Sequence, residues 1–354
     1  MAGNSFGIIF KITTFGESHG EGVGAVVDGC PPRIELSSQD FTAEMARRRP
    51  GTRSSDTPRH EKDRVEILSG VFDGRTTGAP ITLFIRNRDV DSRPYEVLRQ
   101  LFRPGHADYT YFKKYGHFDF TGGGRYSARE TAARVAAGVV AGKILAPTGV
   151  RVTGFTLEIG GVRAENIELG HIDKDPLYCP DPQASQRMQA ALSDAATSGD
   201  SLGGVAEIRV AGCPAGLGEP VFDKLDADLA KALMSVGTVK GVEIGAGFEA
   251  ARLRGSENND PISPDGFLSN RAGGILGGIS NGDEIIVRVA SKPIPSIGRR
   301  QLTVDRLGSS AELEFSGRFD VCALPRIIPV LEAMVKVVLA DHCLRSNTTT
   351  FTKQ

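Results

Sequence analysis

The sequence contains no tryptophan, and aromatic residues make up only 6% of its 354 residues. It has no apolar run of about 18 residues, the length that a membrane-spanning helix needs, and its first residues lack the basic region of a signal peptide. The formal net charge is only -1, because 42 lysine and arginine residues nearly balance 43 acidic ones. We therefore expect a cytoplasmic globular protein that binds neither membranes nor nucleic acid.

Cysteine is scarce and scattered. The five cysteines form no C-x-x-C pair, so we expect reduced thiols rather than disulfides. No H-E-x-x-H motif or other Cys/His ligand spacing occurs either, which argues against a bound metal. By contrast, glycine is abundant at 43 residues, and the cations are 30 arginines against 12 lysines. Glycines permit tight turns beside ligands, and arginine forks bind carboxylates or phosphates.

Hydrophobic periodicity predicts an α+β protein, since strands outnumber helices and the two do not alternate one for one. The strands expected are residues 6–15, 24–27, 65–69, 80–85, 150–160, 204–211, 239–253 and 284–291. The helices expected are residues 38–49, 127–146, 183–195, 220–234 and 325–341. Ser38 is a predicted N-cap, and Ser127 with Glu130 forms a predicted capping box. Residues 86–120 are predicted to be a long loop, and because nothing marks a boundary we expect one domain over residues 1–354.

Two glycine clusters are candidates for ligand contact. The first, GGGRYSARE at residues 122–130, places three glycines and Arg125 before a helix N-terminus, where backbone N–H groups and the helix dipole favour an anion. A flexible lead-in to the helix would give the same pattern. The second, GGILGGISNG at residues 273–282, would let a flat ligand approach the backbone, although a glycine-rich hairpin explains it equally well.

Three further motifs bear on chemistry. RRRPGTR at residues 47–53 suits a multiply anionic small ligand, but such a run is also typical of a solvated face. GESHG at residues 16–20 fits the nucleophile elbow G-x-S-x-G, yet the chain then returns as a strand rather than a helix, which argues against a serine hydrolase. His19 and His106 lie in tight loops, where an imidazole can act as a general acid or base or can simply be exposed.

Seven segments together resemble the chorismate synthase family, in the family's order and over nearly the whole chain. They are TTFGESHG (13–20), DGCPP (28–32), RRRPG (47–51), FRPGHADYTY (102–111), GGGRYSARETA (122–132), VKGVEIG (239–245) and GRFDVCALPR (317–326). The resemblance implies a β-α-β sandwich and a homotetramer. It also implies a lyase of the shikimate pathway that uses reduced FMN to convert 5-enolpyruvylshikimate 3-phosphate to chorismate by an anti-1,4-elimination of phosphate.

The resemblance also assigns roles to residues. His19 would protonate the departing phosphate, His106 would keep the reduced flavin in its correct protonation state, and Asp320 would assist proton removal through flavin N5. The substrate anions would be bound by Arg48, Arg49, Arg129 and Arg134. The FMN positions implied are Arg125, Tyr126, Ser127, Gly237, Thr238, Gly277, Lys292, Pro293, Ile294, Pro295, Ser296 and Arg318.

The chain departs from the family pattern at some of these positions. Ile294 and Pro295 replace two hydroxyl-bearing residues, and we expect each lost hydrogen bond to weaken FMN binding by about 1 kcal/mol. Ser54 stands where some members have an arginine linked to NADPH use, so we expect no intrinsic flavin reductase activity and leave NADPH binding open. Two alternatives remain: a flavin oxidoreductase that consumes NADPH stoichiometrically, and a divergent FMN-binding protein without turnover.

Overall fold

The computed structural model describes residues 3–49, 61–314 and 320–349 and shows helices packed with antiparallel sheets, which confirms the α+β prediction. The strands are β1 (Ser5–Phe6), β2 (Lys11–Gly16), β3 (Gly22–Asp28), β4 (Val65–Ile67), β5 (Val71–Phe72), β6 (Arg75–Thr76), β7 (Ile81–Arg86), β8 (Arg151–Ile159), β9 (Val162–Arg163), β10 (Gly204–Ala211), β11 (Val239–Ile244), β12 (Ile262–Ser263), β13 (Gly266–Phe267), β14 (Ile275–Leu276), β15 (Ile279–Ser280), β16 (Ile285–Ser291), β17 (Gln301–Val304) and β18 (Ser310–Leu313). The helices are α1 (Thr42–Arg48), α2 (Asp108–Tyr115), α3 (Thr131–Leu145), α4 (Pro182–Thr197), α5 (Leu225–Met234), α6 (Gly255–Asn258) and α7 (Leu324–Thr349).

Two five-stranded sheets supply most of the β structure. The first has the order β1-β2-β3-β7-β4 and the second β11-β16-β10-β8-β9, with antiparallel neighbours throughout. In the first sheet, Val23 of β3 faces Ile85 of β7, and Ala25 faces Leu83, with all four side chains buried. Because alternate residues of these strands point into the core, helices must cover that face.

Helices α3 and α7 connect the two sheets. Helix α3 packs against β2, β3 and β7, helix α7 packs against β8 and β10, and the two helices pack against each other. Gly138 of α3 lies directly on Ala333 of α7, where an added Cβ would overlap the alanine side chain. Buried alanine and valine residues make up most of α3, as expected for a helix that is covered on more than one side. The arrangement is the predicted β-α-β sandwich.

Helix α7 is the longest helix, at 26 residues, and it carries Glu332, Lys336 and Asp341 among its apolar side chains. Within residues 3–49, 61–314 and 320–349, no helix combines the length and the apolar character that crossing a membrane requires.

Glycines divide or end two of the predicted strands. The strand expected at residues 6–15 is divided into β1 and β2, with Gly7 at a φ of +93° between them. The strand expected at residues 239–253 ends at Ile244 and is followed by a 3-10 turn over Gly247–Arg252. Positive φ at glycine ends the extended backbone in both places.

The predicted start of α1 is wrong. The helix begins at Thr42, and Ser38 does not cap it. The carboxylate of Asp40 accepts hydrogen bonds from the backbone amide and the hydroxyl of Ser37. This local bonding holds the segment as a turn, in competition with the helix.

The region predicted as a loop at residues 86–120 contains helical structure. A 3-10 segment spans Arg93–Arg99, and α2 spans Asp108–Tyr115. Helix α2 is rich in tyrosine and lysine and buries little apart from Asp108, so its sequence has no clear apolar stripe.

Ser127 is a helix cap, but the predicted capping box does not form. Its hydroxyl accepts a hydrogen bond from the Arg129 amide at 3.3 Å, at the start of the 3-10 turn Ala128–Glu130 that leads into α3. The carboxylate of Glu130 instead accepts hydrogen bonds from Thr14 and Arg134. Both residues therefore connect the start of α3 to neighbouring elements.

Candidate active site

The segment at residues 122–130 begins with a backbone that favours glycine. Gly122, Gly123 and Gly124 have φ values of +58°, +83° and +48°, a region in which other residues are strained. Such conformations can bring backbone N–H groups into a concavity that binds anions. The segment then continues through Arg125 to α3.

His19 lies against this segment. In the loop after β2, the amide of Ser18 donates a hydrogen bond to the carbonyl of Gly124 at 3.2 Å. The imidazole of His19 covers Gly122 so closely that an added Cβ would overlap the ring. Its Nδ1 lies 2.7 Å from the Oγ of Ser92. The ring is thus fixed both by packing and by a hydrogen bond.

His106 contacts the same segment at Tyr126. The centroids of the two rings are 5.4 Å apart, in an edge-to-face arrangement. The Nδ1 of His106 lies 3.0 Å from the Oδ1 of Asp108. Burial lowers the pKa of His106, the hydrogen bond with Asp108 opposes this shift, and the Arg103 cation adds to it. The imidazole is therefore neutral near pH 7.

The residues that follow β16 lie beside the loop of His106. The ammonium group of Lys292 donates a hydrogen bond to the carbonyl of Gly105. The Nη1 of Arg103 donates to the Oγ of Ser296 at 3.2 Å. Two of the predicted FMN-binding residues are thereby joined to the histidine loop.

Thr238 extends this group towards β11. Its carbonyl accepts a hydrogen bond from the Lys292 amide at 2.9 Å, and its hydroxyl accepts one from Ser291 at 2.8 Å. Thr238 has a φ of +78°, and the preceding Gly237 is exposed. Two segments that the resemblance assigns to FMN therefore meet in space.

The three residues between Lys292 and Ser296 have different environments. Pro293 is exposed, whereas Pro295 packs beside Gly105. Ile294 is partly buried against the hydrophobic core, and its carbonyl accepts a hydrogen bond from Ser201 at 2.7 Å. The side chain of Ile294 thus contributes to packing.

Three predicted residues are not placed in this cluster. Gly277 is exposed in the β14–β15 hairpin, so the second glycine cluster forms the hairpin that was the alternative interpretation. Arg49 follows α1, and its guanidinium forms no ion pair with another residue in the described ranges. Arg318 lies outside the described residues, as does Ser54.

Arg48 and Arg129 share one buried carboxylate. The Nη1 of Arg48 is 2.9 Å from Asp63 Oδ2, and the Nη1 of Arg129 binds Asp63 Oδ1. Burial alone would raise the pKa of Asp63, but the two guanidiniums hold it below its usual range. Burial lowers the pKa of Arg48 to about 10, which still leaves it charged at neutral pH. Arg129 also lies 4.0 Å from the buried carboxylate of Glu61, so two carboxylates accompany the two guanidiniums.

Asp320 belongs to a neighbouring ion pair. Its carboxylate binds the Nη1 of Arg326. The Arg326 cation contributes to the low pKa of Arg48, so the two guanidiniums are close. In the described part of the chain, the Nε of Arg326 is buried without a hydrogen-bond partner. It is a donor that an anionic ligand could satisfy.

Arg134 and Arg125 both interact with Glu130. The Nε of Arg134 lies 3.0 and 2.9 Å from the two carboxylate oxygens, and its Nη1 donates to the Oγ of Ser235 at 2.6 Å. Arg125 donates to the carbonyl of Thr14 at 2.7 Å. Its Nη1 is buried 3.8 Å from Glu130 and has no hydrogen-bond acceptor among the described residues. Arg125 therefore also has donor capacity to spare.

Sequence reasoning missed four residues that hold these groups in place: Ser92, Asp63, Arg103 and Asp108. Each is a single polar residue whose partner is close in space, and none belongs to a recognised catalytic motif. The only available signal was the adjacency of Arg103 and Asp108 to His106 in the segment FRPGHADYTY.

Fold and site together define an α+β enzyme in which two histidines and several buried arginines surround a glycine-rich turn, an arrangement suited to proton transfer on an anionic substrate. The family model for chorismate synthase matches residues 10–344. The chain belongs to the chorismate synthase family, whose members are lyases that eliminate phosphate from 5-enolpyruvylshikimate 3-phosphate to give chorismate. The activity and the pathway predicted from the motifs are thereby confirmed.

Individual relatives support this assignment over the full length. A chorismate synthase of Syntrophus aciditrophicus is 59% identical, and the alignment covers 99% of this chain and all of the relative. One from Methanosarcina mazei is 53% identical, with 98% of this chain and 97% of the relative covered. A crystal structure of chorismate synthase superposes with a TM-score of 0.77 at 34% identity, over 96% of this chain and 93% of the other.

Proposed function

We propose that the chain, as a single domain, performs the family's reaction at the cluster around residues 122–130, with reduced FMN bound there. The observation that carries this proposal is that one segment contacts both histidines. Gly122 underlies His19, and Tyr126 packs against His106. Two groups able to transfer protons are thus fixed to the same turn.

The substrate carries two carboxylates and a phosphate, so its binding requires several cations. Arg129 belongs to the same segment and shares Asp63 with Arg48. These buried guanidiniums are already oriented before substrate arrives, which lowers the entropic cost of binding. Arg134 and Arg49 are further candidates, and the spare donor of Arg326 adds a position that the sequence did not suggest.

The residues present fit a flavin phosphate. The buried Nη1 of Arg125 has no acceptor in the described ranges and would gain one from a phosphate oxygen. The residues that would hold FMN are Arg125, Tyr126, Ser127, Gly237, Thr238, Lys292, Pro293, Ile294, Pro295 and Ser296. When bound there, reduced FMN would provide electron density to a substrate that must lose both a ring hydrogen and a poor leaving group, with no net oxidation of the flavin. Gly277 and Arg318 stay candidates by resemblance alone.

Protein side chains donate and accept the protons of the reaction. His19, anchored by Ser92, protonates the oxygen of the departing phosphate. Asp320, which pairs with Arg326, assists removal of the ring proton. His106, whose imidazole is neutral near pH 7, would keep reduced FMN in its correct protonation state. General acid and base groups of this kind typically contribute about 10²- to 10⁴-fold to a rate.

Alanine substitution of the histidines tests these roles. We expect His19→Ala and His106→Ala to lower turnover about 10- to 1,000-fold while the fold is kept. His171→Ala is the matched control, because His171 lies in a 3-10 turn outside the cluster and its imidazole is 3.9 Å from the carboxylate of Asp175. Wild-type turnover in either site variant would remove that histidine from the mechanism.

FMN binding tests the proposed cofactor site separately. We expect Arg125→Ala to weaken reduced FMN binding about tenfold, as loss of one charge-assisted hydrogen bond predicts. Arg151→Ala removes an exposed arginine at the start of β8 and should leave the affinity unchanged. Equal affinities in a fluorescence titration of all three proteins would place the flavin phosphate elsewhere.

We further propose that the protein acts in the cytoplasm as a homotetramer. All five cysteines are free thiols, as suits a reducing compartment. Large apolar side chains such as Phe222 and Phe248 are 92% and 73% exposed, and burial against another copy would cover them. Light scattering tests the assembly: a mass near four chains supports it, and a monomer contradicts it. Measuring NADPH consumption in the same preparation decides whether the protein oxidises NADPH.

A further inference from the structure

The carboxylate of Asp108 is buried and surrounded by hydrogen-bond donors. It is the first residue of α2, and none of its surface is exposed. Its Oδ2 accepts hydrogen bonds from the backbone amide and the Nε of Arg103, at 3.1 and 2.8 Å. Its Oδ1 accepts from the Nη2 of Arg103 at 2.8 Å and lies 3.0 Å from the Nδ1 of His106. The guanidinium thus binds both oxygens in a bidentate manner.

The donors keep Asp108 ionised. Burial alone would raise the pKa of this carboxyl, but the hydrogen bonds from Arg103 and His106 hold it far below its usual range. An ionised carboxylate has no proton to give. The hydrogen in the contact with His106 must therefore reside on Nδ1, so a neutral imidazole carries no hydrogen on Nε2.

The other groups around His106 act against its protonation. Arg103 and Lys292 are cations that lower its pKa, as burial does. Tyr126 presents its ring, and burial together with the charge of Asp108 raises the pKa of that phenol. Of the groups with the largest effects on the pKa of His106, Asp108 is the anion that raises it.

Arg103 also links Asp108 to a residue outside the loop of His106. Arg103, which binds both carboxylate oxygens, also donates to the Oγ of Ser296 at 3.2 Å. A displacement of the residues after β16 would therefore be transmitted through Arg103 to the carboxylate. His106, Asp108 and the predicted FMN-binding residue Ser296 are therefore connected through Arg103.

We propose that Asp108 is a positioning residue, which acts through His106 by fixing its ring orientation and its Nδ1-protonated tautomer, with Arg103 as the anchor. The inference rests on the proposed function, since it gives the second histidine its working form. Asp108 itself need not touch substrate or flavin. Its substitution should therefore change turnover more than the KM for substrate.

The test uses Asp108→Asn in the full-length protein. Asparagine keeps the size but not the charge, and its amide can donate to Nδ1 and so permit the other tautomer. We expect the pKa of His106 to fall by about one pH unit and kcat to fall about 10- to 100-fold with KM nearly unchanged. Asp108→Glu restores the negative charge, so we expect it to recover part of the pKa of His106 and part of kcat.

The pKa of each histidine is measured by deuterium exchange at the imidazole Cε1, followed by mass spectrometry as a function of pH. Asp228→Asn is the matched control, because Asp228 lies 3.0 Å from the Nε2 of a different buried histidine, His342, between α5 and α7. It should alter the exchange of His342 and leave that of His106 and the turnover unchanged. An unchanged pKa of His106 in Asp108→Asn would overturn the proposal.

A double variant separates positioning from a purely structural role. If Asp108 acts only through His106, then adding Asp108→Asn to His106→Ala should cause no further loss of kcat. A second, multiplicative loss would show that Asp108 serves the fold or the substrate directly. The exchange measurement needs no turnover, so it still decides the positioning claim if His106→Ala proves fully active and the proposed catalytic role fails.

Discussion

Gly122 lies directly beneath the imidazole of His19, so close that no side chain fits between them. The contact joins a turn of the glycine-rich segment to the loop after β2, which are distant in the sequence. Glycine at position 122 is thus required for two reasons: its φ of +58° and the space that the histidine occupies.

We expect Gly122→Ala to displace His19 and lower turnover about 10- to 100-fold, because small displacements of a proton-transfer group are costly. Gly123→Ala is the matched control: its φ is +83°, but an added Cβ would meet the Cβ of Ser127 at an ordinary 3.5 Å. Both variants carry similar backbone strain. Equal losses of kcat would therefore assign the effect to the backbone and not to His19.

Asp63 should make the stability of the protein depend on acid pH. Its folded-state pKa is lowered, so the stabilisation is complete above the unfolded-state value near 4 and is lost as pH falls through the folded-state value. Asp63→Asn leaves Arg48 and Arg129 without their shared anion. We expect it to lower the free energy of unfolding at pH 7 by about 3–5 kcal/mol.

Urea unfolding at several pH values checks this expectation. The variant should lose less stability than wild type between pH 5 and pH 3, since the titrating group is gone. Equal free energies of unfolding at pH 7 would show that solvent or another residue compensates the two guanidiniums.

The contact between α3 and α7 should be sensitive to a single methyl group. At Gly138 an added Cβ overlaps Ala333, so we expect Gly138→Ala to destabilise the fold by about 1–3 kcal/mol. For Gly142, one turn further along α3, an added Cβ would meet the Cδ of the flexible Lys336 side chain at an ordinary 3.8 Å. Gly142→Ala should be neutral or should stabilise by up to about 1 kcal/mol. Identical melting temperatures for both variants would contradict this account of the helix contact.

The long helices and the larger strands could be predicted from the sequence because their patterns are local. The spacing of Ala132, Val135, Ala136 and Val139 predicts α3, and its observed end at Leu145 agrees with the proline that follows. The cap of α1 could not be predicted in the same way. Ser38 has the right chemistry, but Asp40 and Ser37 form a competing turn that no periodicity reports.

The same distinction between local patterns and tertiary contacts applies to the candidate site. His19, His106 and the glycine segment were predictable because short motifs carry them. The anions that position the cations were not, since Asp63 and Arg129 are 66 residues apart and their contact exists only in the fold. The packing of Ile294 against the hydrophobic core likewise depends on the tertiary structure. From the sequence, this residue differed from the family pattern only in lacking a hydroxyl group.

The most direct measurement is an anaerobic assay of the purified protein with 5-enolpyruvylshikimate 3-phosphate and dithionite-reduced FMN, in which chorismate, phosphate and flavin absorbance are followed together. The account predicts equal release of chorismate and phosphate with no net oxidation of the flavin. Flavin oxidised in proportion to product would indicate an oxidoreductase, and tight FMN binding without any product would indicate a binding protein. Either result would contradict the proposed lyase mechanism.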